Sequence, residues 1–256
     1  MNRRGRICTW VAVIAGVAAI CACSRTKPGT GTGTGTGETR AGATSSTTPP
    51  PPASDPPGTY MGRELATPMS YRGADWLERD DRETTEKPDH VLDVLGIREG
   101  QTVADVGAGS GYFTVRIAKR VGARGRVLAT DLQPEMLAML KTKTESLKLT
   151  NVVPILTTES DAKLPKREVD LVLMVDVYHE LPKPAETLAQ VRAALRPDGR
   201  LALVEYRAED PEVPIKPEHK MTLVQIKKEL GANGFVFRAS DESLPQQRIV
   251  TFGIAN

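Results

Sequence analysis

From Glu86 onward, short apolar runs alternate with stretches of helical periodicity. Residues 102–106 (Thr-Val-Ala-Asp-Val) have strand length and end in glycines, and residues 112–121 repeat apolar side chains at helical spacing. The alternation continues with a strand over 126–130, a helix over 134–147 with Pro134 near its start, and a strand over 152–156. Residues 169–175 are nearly all apolar, as a central strand covered on both faces must be. A helix over 185–195 is stopped by Pro197 and Gly199. A fifth strand follows over 200–206, then a helix over 222–230 closed by Gly231 and Gly234. Two strand-like runs, 235–239 and 248–253, are joined by a polar turn, and a short helix over 91–95 precedes the whole series. Strand, helix, strand in repetition predicts an α/β fold. It is a doubly wound, mostly parallel seven-stranded sheet with helices on both faces and an antiparallel C-terminal hairpin. In such sheets ligands bind beyond the carboxyl ends of the strands, where strand order reverses.

Before residue 59 this rhythm is absent. Arg3, Arg4 and Arg6 are followed by an uncharged stretch, residues 7–23, that ends in small residues. A membrane-spanning helix needs about 20 apolar residues, so the stretch reads instead as a secretory signal occupying residues 1–23. Its end resembles the bacterial lipobox, in which a small residue precedes the cysteine that becomes lipidated. Cys23 after Ala22 is the expected site, with Cys21 after the bulkier Ile20 as the other candidate. Ser24 would then direct the protein to the periplasmic side of the cell envelope, the outer membrane being favoured. An uncleaved anchor or a start codon placed too early are the other readings, and the latter would leave the domain in the cytoplasm. Residues 24–58 carry a Gly-Thr repeat and four consecutive prolines, which reads as a disordered linker. Residues 59–85 are expected to be an N-terminal edge segment with Trp76 as its anchor, and residues 86–256 the domain proper.

Composition narrows the chemistry. All three cysteines lie within the first 23 residues, so the domain has no internal disulfide, cysteine-based metal site or thiol nucleophile. A formal net charge of +2 with interspersed signs, and 4% aromatic residues, give no basis for expecting nucleic acid binding. No metal-ligand spacing of the H-E-x-x-H kind occurs, and no metal is expected.

The strongest motif is residues 103–111, with Asp105 ahead of Gly107, Ala108, Gly109 and Gly111, after a strand and before a helix. Glycines there allow a tight turn and close approach of backbone to ligand. A dinucleotide fingerprint needs a third glycine where Tyr112 stands, which disfavours an NAD-dependent oxidoreductase. Asp131 and Leu132 end the second strand, Ser160-Asp161-Ala162 follows the third, and Asp176-Val177-Tyr178-His179-Glu180 follows the fourth. Each has a plainer reading. Asp105 can brace the loop, Asp131 can cap a helix, Asp161 can be a solvated loop acid, and His179 and Glu180 can cap the next element.

This set resembles the class I S-adenosylmethionine-dependent methyltransferases over roughly residues 86–252, nearest to small-molecule methyltransferases of the quinone-biosynthesis type. It is also similar to bacterial proteins with no assigned substrate. The resemblance implies S-adenosyl-L-methionine as cofactor, with Asp131 accepting from the ribose hydroxyls, Leu132 on the adenine face and Asp161 with Ala162 at the adenine edge. It places Asp105 near the cationic end and Asp176 against the cofactor's ammonium or the substrate, and makes residues 59–85 a lid over the cofactor as the alternative to an edge segment. His179 is then the candidate base and Glu180 its orienting partner, with Glu205, Tyr206 and Arg207 at the rim and His219 and Lys220 beside the acceptor pocket. The expected partner is a small-molecule methyl acceptor, with membrane contact only through a lipid at Cys23; nothing indicates an oligomeric state. The other reading is an envelope-anchored module that binds S-adenosylmethionine or S-adenosylhomocysteine without turnover.

Overall fold

The structure, a computed structural model, describes residues 55–255. The expected signal and the linker up to residue 54 lie outside them. Among the described residues no helix is long and apolar enough to cross a membrane.

A small hairpin, β1 (Thr59–Tyr60) and β2 (Arg63–Glu64), opens the described chain. A 3-10 turn (Tyr71–Gly73) and three short helices follow: α1 (Ala74–Leu77), α2 (Arg82–Thr85) and α3 (Pro88–Val94). The alternating part then runs β3 (Thr102–Val106), α4 (Tyr112–Val121), β4 (Arg126–Asp131), α5 (Pro134–Ser146), β5 (Val152–Leu156), β6 (Val169–Val175), α6 (Pro184–Ala194) and β7 (Leu195–Arg207). The two-residue β8 (Lys220–Met221), α7 (Leu223–Ala232), β9 (Phe235–Asp241) and β10 (Gln247–Ile254) complete it.

Local chemistry explains several boundaries. Pro134 and Pro184 stand at the first turns of α5 and α6, where the missing N–H costs nothing. Lys119 and Arg120 lie in the last turn of α4, against its negative dipole end, and Gly122 closes it at φ 64°. Thr222 caps α7 by accepting from the Gln225 amide.

The sheet order is β5-β4-β3-β6-β7-β10-β9. β3 pairs in parallel with β4 on one side and β6 on the other, so the order reverses between β3 and β6. β10 runs antiparallel between β7 and β9, as the C-terminal pattern predicts. β6 shows why its sequence is apolar throughout. Val172 and Met174 enter a core shared with Leu188 and Val191 of α6 and Leu230 of α7, whereas Leu171 and Leu173 enter one shared with Val91, Phe113 and Ile117 on the opposite face. Period-two alternation thus feeds two separate cores.

Two features depart from expectation. β7 begins at Leu195, not at 200: Leu195 pairs with Val169 and Arg200 with Leu171, so residues 196–199 bulge out opposite Asp170 alone. Pro197 and Gly199 sit in that bulge, and Arg196 Nη1 donates to Asp170 Oδ1 at 2.7 Å. The predicted seven strands are also joined by β8, parallel to Tyr206 and Arg207 of β7. β10 already occupies the other edge of Tyr206, so β8 lies in line beyond the end of β6.

Candidate functional site

A cavity of about 570 Å³ lies over the carboxyl ends of β3, β4 and β6. Its floor is the β3–α4 loop. Gly107 adopts φ 70°, and a Cβ there would lie 2.5 Å from Val177 Cγ2, so both the conformation and the space demand glycine. The Gly107 and Ala108 amides both donate to the Thr130 carbonyl at 2.9 Å, folding the loop onto β4. Asp131 completes it: its Oδ2 accepts from the Gly109 amide and its Oδ1 from the Gln133 amide, each at 2.9 Å. Each carboxylate oxygen has two lone pairs, so both retain capacity toward the cavity. Burial raises the Asp131 pKa, while the backbone amides pull it down.

Asp176 follows β6 in the left-handed region at φ 53°, a conformation Asp tolerates better than most residues. Its Oδ2 accepts from Gln247 Nε2 at 2.7 Å, whereas Oδ1 is buried with no partner. Burial, then the charges of Glu86 and Glu205, push its pKa well above the ordinary carboxylate value. Glu86 itself is buried in the same wall, bonded by Arg79 and by Arg82 Nε at 2.8 Å, with the Tyr206 hydroxyl at 3.4 Å.

His179 is nearly fully buried, and its Nδ1 lies 2.6 Å from Glu205 Oε2. An ionised carboxylate only accepts, so Nδ1 carries the proton and Nε2 turns to the cavity. Glu205 Oε1 accepts from the Tyr178 amide at 3.0 Å, which fixes the carboxylate. Burial lowers the His179 pKa, but the Glu205 charge and hydrogen bond outweigh it, and the net shift is upward. Glu180 is pushed up to about 7, mainly by burial, against the opposing effect of His179.

Gly107, Gly109, Asp131, Leu132, Ala162, Asp176, His179 and Glu180 therefore line one cavity. Asp105, Ala108, Gly111 and Asp161 do not. Asp105 points away, under α4, and accepts from the Thr114 hydroxyl at 2.5 Å. Gly111 shapes the loop at φ 90°, where a Cβ would lie 3.1 Å from Leu140 Cγ. Asp161 is exposed, its Oδ1 accepting from the Lys163 amide at 2.9 Å. Glu180 Oε1 is 3.9 Å from His179 Nε2, and Glu205 is the residue that orients the ring. Glu205 is not a rim residue but buried within β7; Tyr206 is also buried yet lines the cavity wall, while Arg207 bonds the carbonyls of Leu244, Pro245 and Gln247. Lys220 donates to the Val213 carbonyl, and His219 lines the cavity.

Two covers close over the floor. Residues 67–69 with Trp76, Leu77 and Arg79 form one, and residues 214–216 with His219 the other. Gln133 clamps the first, accepting from the Tyr71 amide at 2.7 Å and donating to the Met69 carbonyl at 2.9 Å. Trp76 is not a buried anchor: it is 54% exposed, with the Arg79 guanidinium 3.9 Å from the ring centroid.

Asp105 carries a pH prediction. Burial raises it to about 6, above the roughly 3.9 of an unfolded chain. The folded protein holds this proton more tightly, so the contribution to stability is complete below about pH 4 and is lost as pH rises through about 6, by about 3 kcal/mol. Asp105→Asn is expected to remove that slope. The check is the difference in urea-denaturation free energy between the two proteins at pH 4.5 and 7; a constant difference refutes the prediction.

A family profile described as a methyltransferase domain matches residues 104–201. A crystal structure of a SAM-dependent methyltransferase from Aquifex aeolicus superposes with a TM-score of 0.70 at 28% identity, covering 73% of this chain and 100% of that one. Residues 104–201 thus match a methyltransferase domain, and the described residues share the fold of that SAM-dependent methyltransferase. The ubiquinone/menaquinone biosynthesis C-methyltransferase of Psychromonas ingrahamii is 28% identical over 117 residues, 45% of this chain and 47% of that protein. An uncharacterised 37.1 kDa protein of Streptomyces fradiae is 33% identical over 115 residues, 45% of this chain and 33% of that one. The chain thus spans about half the length, or less, of these curated relatives. S-adenosyl-L-methionine is the cofactor of such a domain, and the residues present suit it. The glycine loop leaves room where a Cβ would clash, Asp131 has acceptor capacity to spare, and Asp176 Oδ1 is a buried acceptor awaiting a donor.

Proposed function

We propose that this chain methylates a small-molecule acceptor bound at the His179 end of the cavity. The single observation that carries the reading is the convergence of Asp131, the Gly107–Gly109 loop and the unpartnered Asp176 Oδ1 on one cavity. Asp131 would accept from the ribose hydroxyls, Leu132 and Ala162 would wall the adenine, and Asp176 would accept from the ammonium group. The cofactor, when bound, supplies a methyl group on a cationic sulfur. Leu181, Pro182, Pro214 and Ile215 give the remaining space an apolar wall, which suits an apolar acceptor presenting one protonated nucleophile to His179 Nε2. His179 takes that proton as the nucleophile is methylated, and Glu205 stabilises the charged ring. Alignment of the reacting atoms supplies much of the acceleration.

Calorimetric titration of the full chain tests the cofactor half. S-adenosylhomocysteine is expected to bind and NAD is not; the reverse would overturn the reading. Incubation with methyl-labelled cofactor and candidate apolar phenols, thiols and amines tests the acceptor half, and binding without transfer to any of them would favour the module without turnover.

Residues 1–58 we read as delivery to the envelope, on the sequence pattern around Cys23. In a bacterial host, incorporation of labelled palmitate is expected for the unaltered chain and for Cys21→Ser, and is expected to vanish with Cys23→Ser. Labelling that survives Cys23→Ser would refute the placement.

A further inference from the structure

We propose that His179, Glu180 and His219 form a site for one divalent cation of the zinc type at the acceptor end of the cavity. The sequence separates these residues by up to 40 positions and gives no ligand spacing, but the fold brings one donor atom of each within 4.8 Å of the others. His179 Nε2 and His219 Nδ1 are 3.2 Å apart, His219 Nδ1 and Glu180 Oε1 3.5 Å, and His179 Nε2 and Glu180 Oε1 3.9 Å. Zinc holds nitrogen and oxygen donors at about 2.0–2.2 Å in a tetrahedron, which sets neighbouring donors about 3.3 Å apart. The triangle already has nearly that size.

The surroundings suit a ligand. Glu205, fully buried, holds the His179 Nδ1 proton and aims the Nε2 lone pair at the triangle. A carboxylate behind a histidine in this way fixes tautomer and ring orientation for metal binding. Asp176 and Glu86 line the same cavity as Glu180, together with Arg79 and Arg82, and Glu205 lies against His179 from below. Two imidazoles and one carboxylate suit zinc better than magnesium or calcium, which prefer all-oxygen sets. Three protein ligands leave the fourth position open to the cavity, the arrangement of catalytic zinc. The competing occupant is a proton shared between the two rings across the 3.2 Å contact.

The cation site deepens the methyl-transfer reading at its acceptor half. With the ion in place, His179 Nε2 would be a ligand and not a base; the ion would acidify the acceptor's bound heteroatom, whose proton would pass to water before that heteroatom takes the methyl group. Cofactor binding is separable from it and is measured alongside.

The test uses the full chain carrying Cys8→Ser, Cys21→Ser and Cys23→Ser, so that no thiolate competes for zinc, after dialysis against a chelator. Zinc chloride titrated in a calorimeter is expected to bind at one equivalent per chain, and cobalt(II) to give the visible absorption of a tetrahedral site. His219→Ala and Glu180→Gln should each weaken zinc binding at least about 100-fold, and Glu205→Gln by about 10- to 100-fold. Circular dichroism and S-adenosylhomocysteine affinity report whether each variant is folded. Absence of stoichiometric zinc binding, or undiminished binding by both folded ligand variants, overturns the site. Zinc binding without S-adenosylhomocysteine binding would leave the site standing and sink the cofactor reading alone.

Discussion

A full chain bearing Asp131→Ala is expected to bind S-adenosylhomocysteine at least about 100-fold more weakly than the unaltered protein. A hydrogen bond to a charged acceptor contributes about 1.5–3 kcal/mol, and the ribose would lose two of them. The same substitution orphans the Gly109 and Gln133 amides, so the loop loses its brace as well as its ligand contact. Asp131→Asn separates the two effects, since its amide keeps one oxygen to accept from an amide N–H but turns a donor toward the other. Asp161→Ala is the natural contrast. That carboxylate is exposed and turned to the Lys163 amide, so its removal should change affinity by less than about threefold, the scale of a solvated surface contact. Titration calorimetry of the three variants decides the matter. Equal affinity for Asp131→Ala and the unaltered chain would remove the proposed cofactor site.

Glu205→Gln should produce the second large effect, and on turnover instead of on cofactor affinity. The carboxylate accepts from two N–H groups at once, at Tyr178 and His179. A glutamine has only one oxygen and must turn its amide group toward one of them. If it faces the ring, the tautomer inverts and His179 Nε2 loses its lone pair to the cavity. A misplaced base of this kind costs about 100-fold in kcat, whether Nε2 meets the acceptor directly or through a cation. S-adenosylhomocysteine affinity should stay within about threefold, because Glu205 lies beneath the acceptor half. Glu205→Ala is expected to be worse for the fold, by about 1–3 kcal/mol, since both donors are then left buried and unmet. Steady-state kinetics with urea melts check both statements. A kcat within a few-fold of the unaltered chain would show that His179 does not act through this pair.

The fold was legible where the sequence repeats itself. Residues 102–106, 152–156 and 169–175 are strands with the expected bounds; the mostly apolar β3 and β6 are buried inside the sheet, whereas β5 is the edge strand and leaves Val153 and Leu156 exposed. α4 begins and ends where glycines say it must. The sequence misleads where proline and glycine do not end an element. Pro197 and Gly199 suggest a turn before the fifth strand, yet β7 starts at Leu195 because one loop-out against Asp170 accommodates both residues without ending the ladder. β8, two residues long, carries no periodicity for a reader to find.

The candidate site was legible where a residue stands immediately after a strand. Asp131, Asp176, His179 and the glycine loop reach the cavity for that reason. The sequence places Glu205 at the rim because Glu-Tyr-Arg looks like the polar end of a strand. The signal that would have corrected this is a charged side chain at an inward position of an otherwise apolar run, Leu201 to Val204. Burial there requires a partner, and His179 is that partner. Asp105 was the opposite case: adjacency to the loop suggested a ligand contact, but strand alternation turns the side chain under α4 toward Thr114. The buried Glu86 and Arg82 were hidden within a charged stretch that reads as solvated surface, and His219 reaches the site only through tertiary folding.

The amino-terminal hairpin has a practical consequence for anyone who would trim the polypeptide. Arg63 Nε donates to the buried Glu229 of α7 at 2.8 Å, and the carbonyl of His179 receives Arg63 Nη1 at 3.0 Å. A shortened gene product starting at Glu86, the point where regular alternation sets in, would forfeit these attachments together with the strap that Gln133 grips. It would leave the buried Glu229 without its ion-pair partner, held only by the Tyr178 hydroxyl and the Gln225 side-chain amide. Such a fragment should express as an insoluble or ligand-blind species, and a serviceable truncation has to retain everything from Asp55 onward.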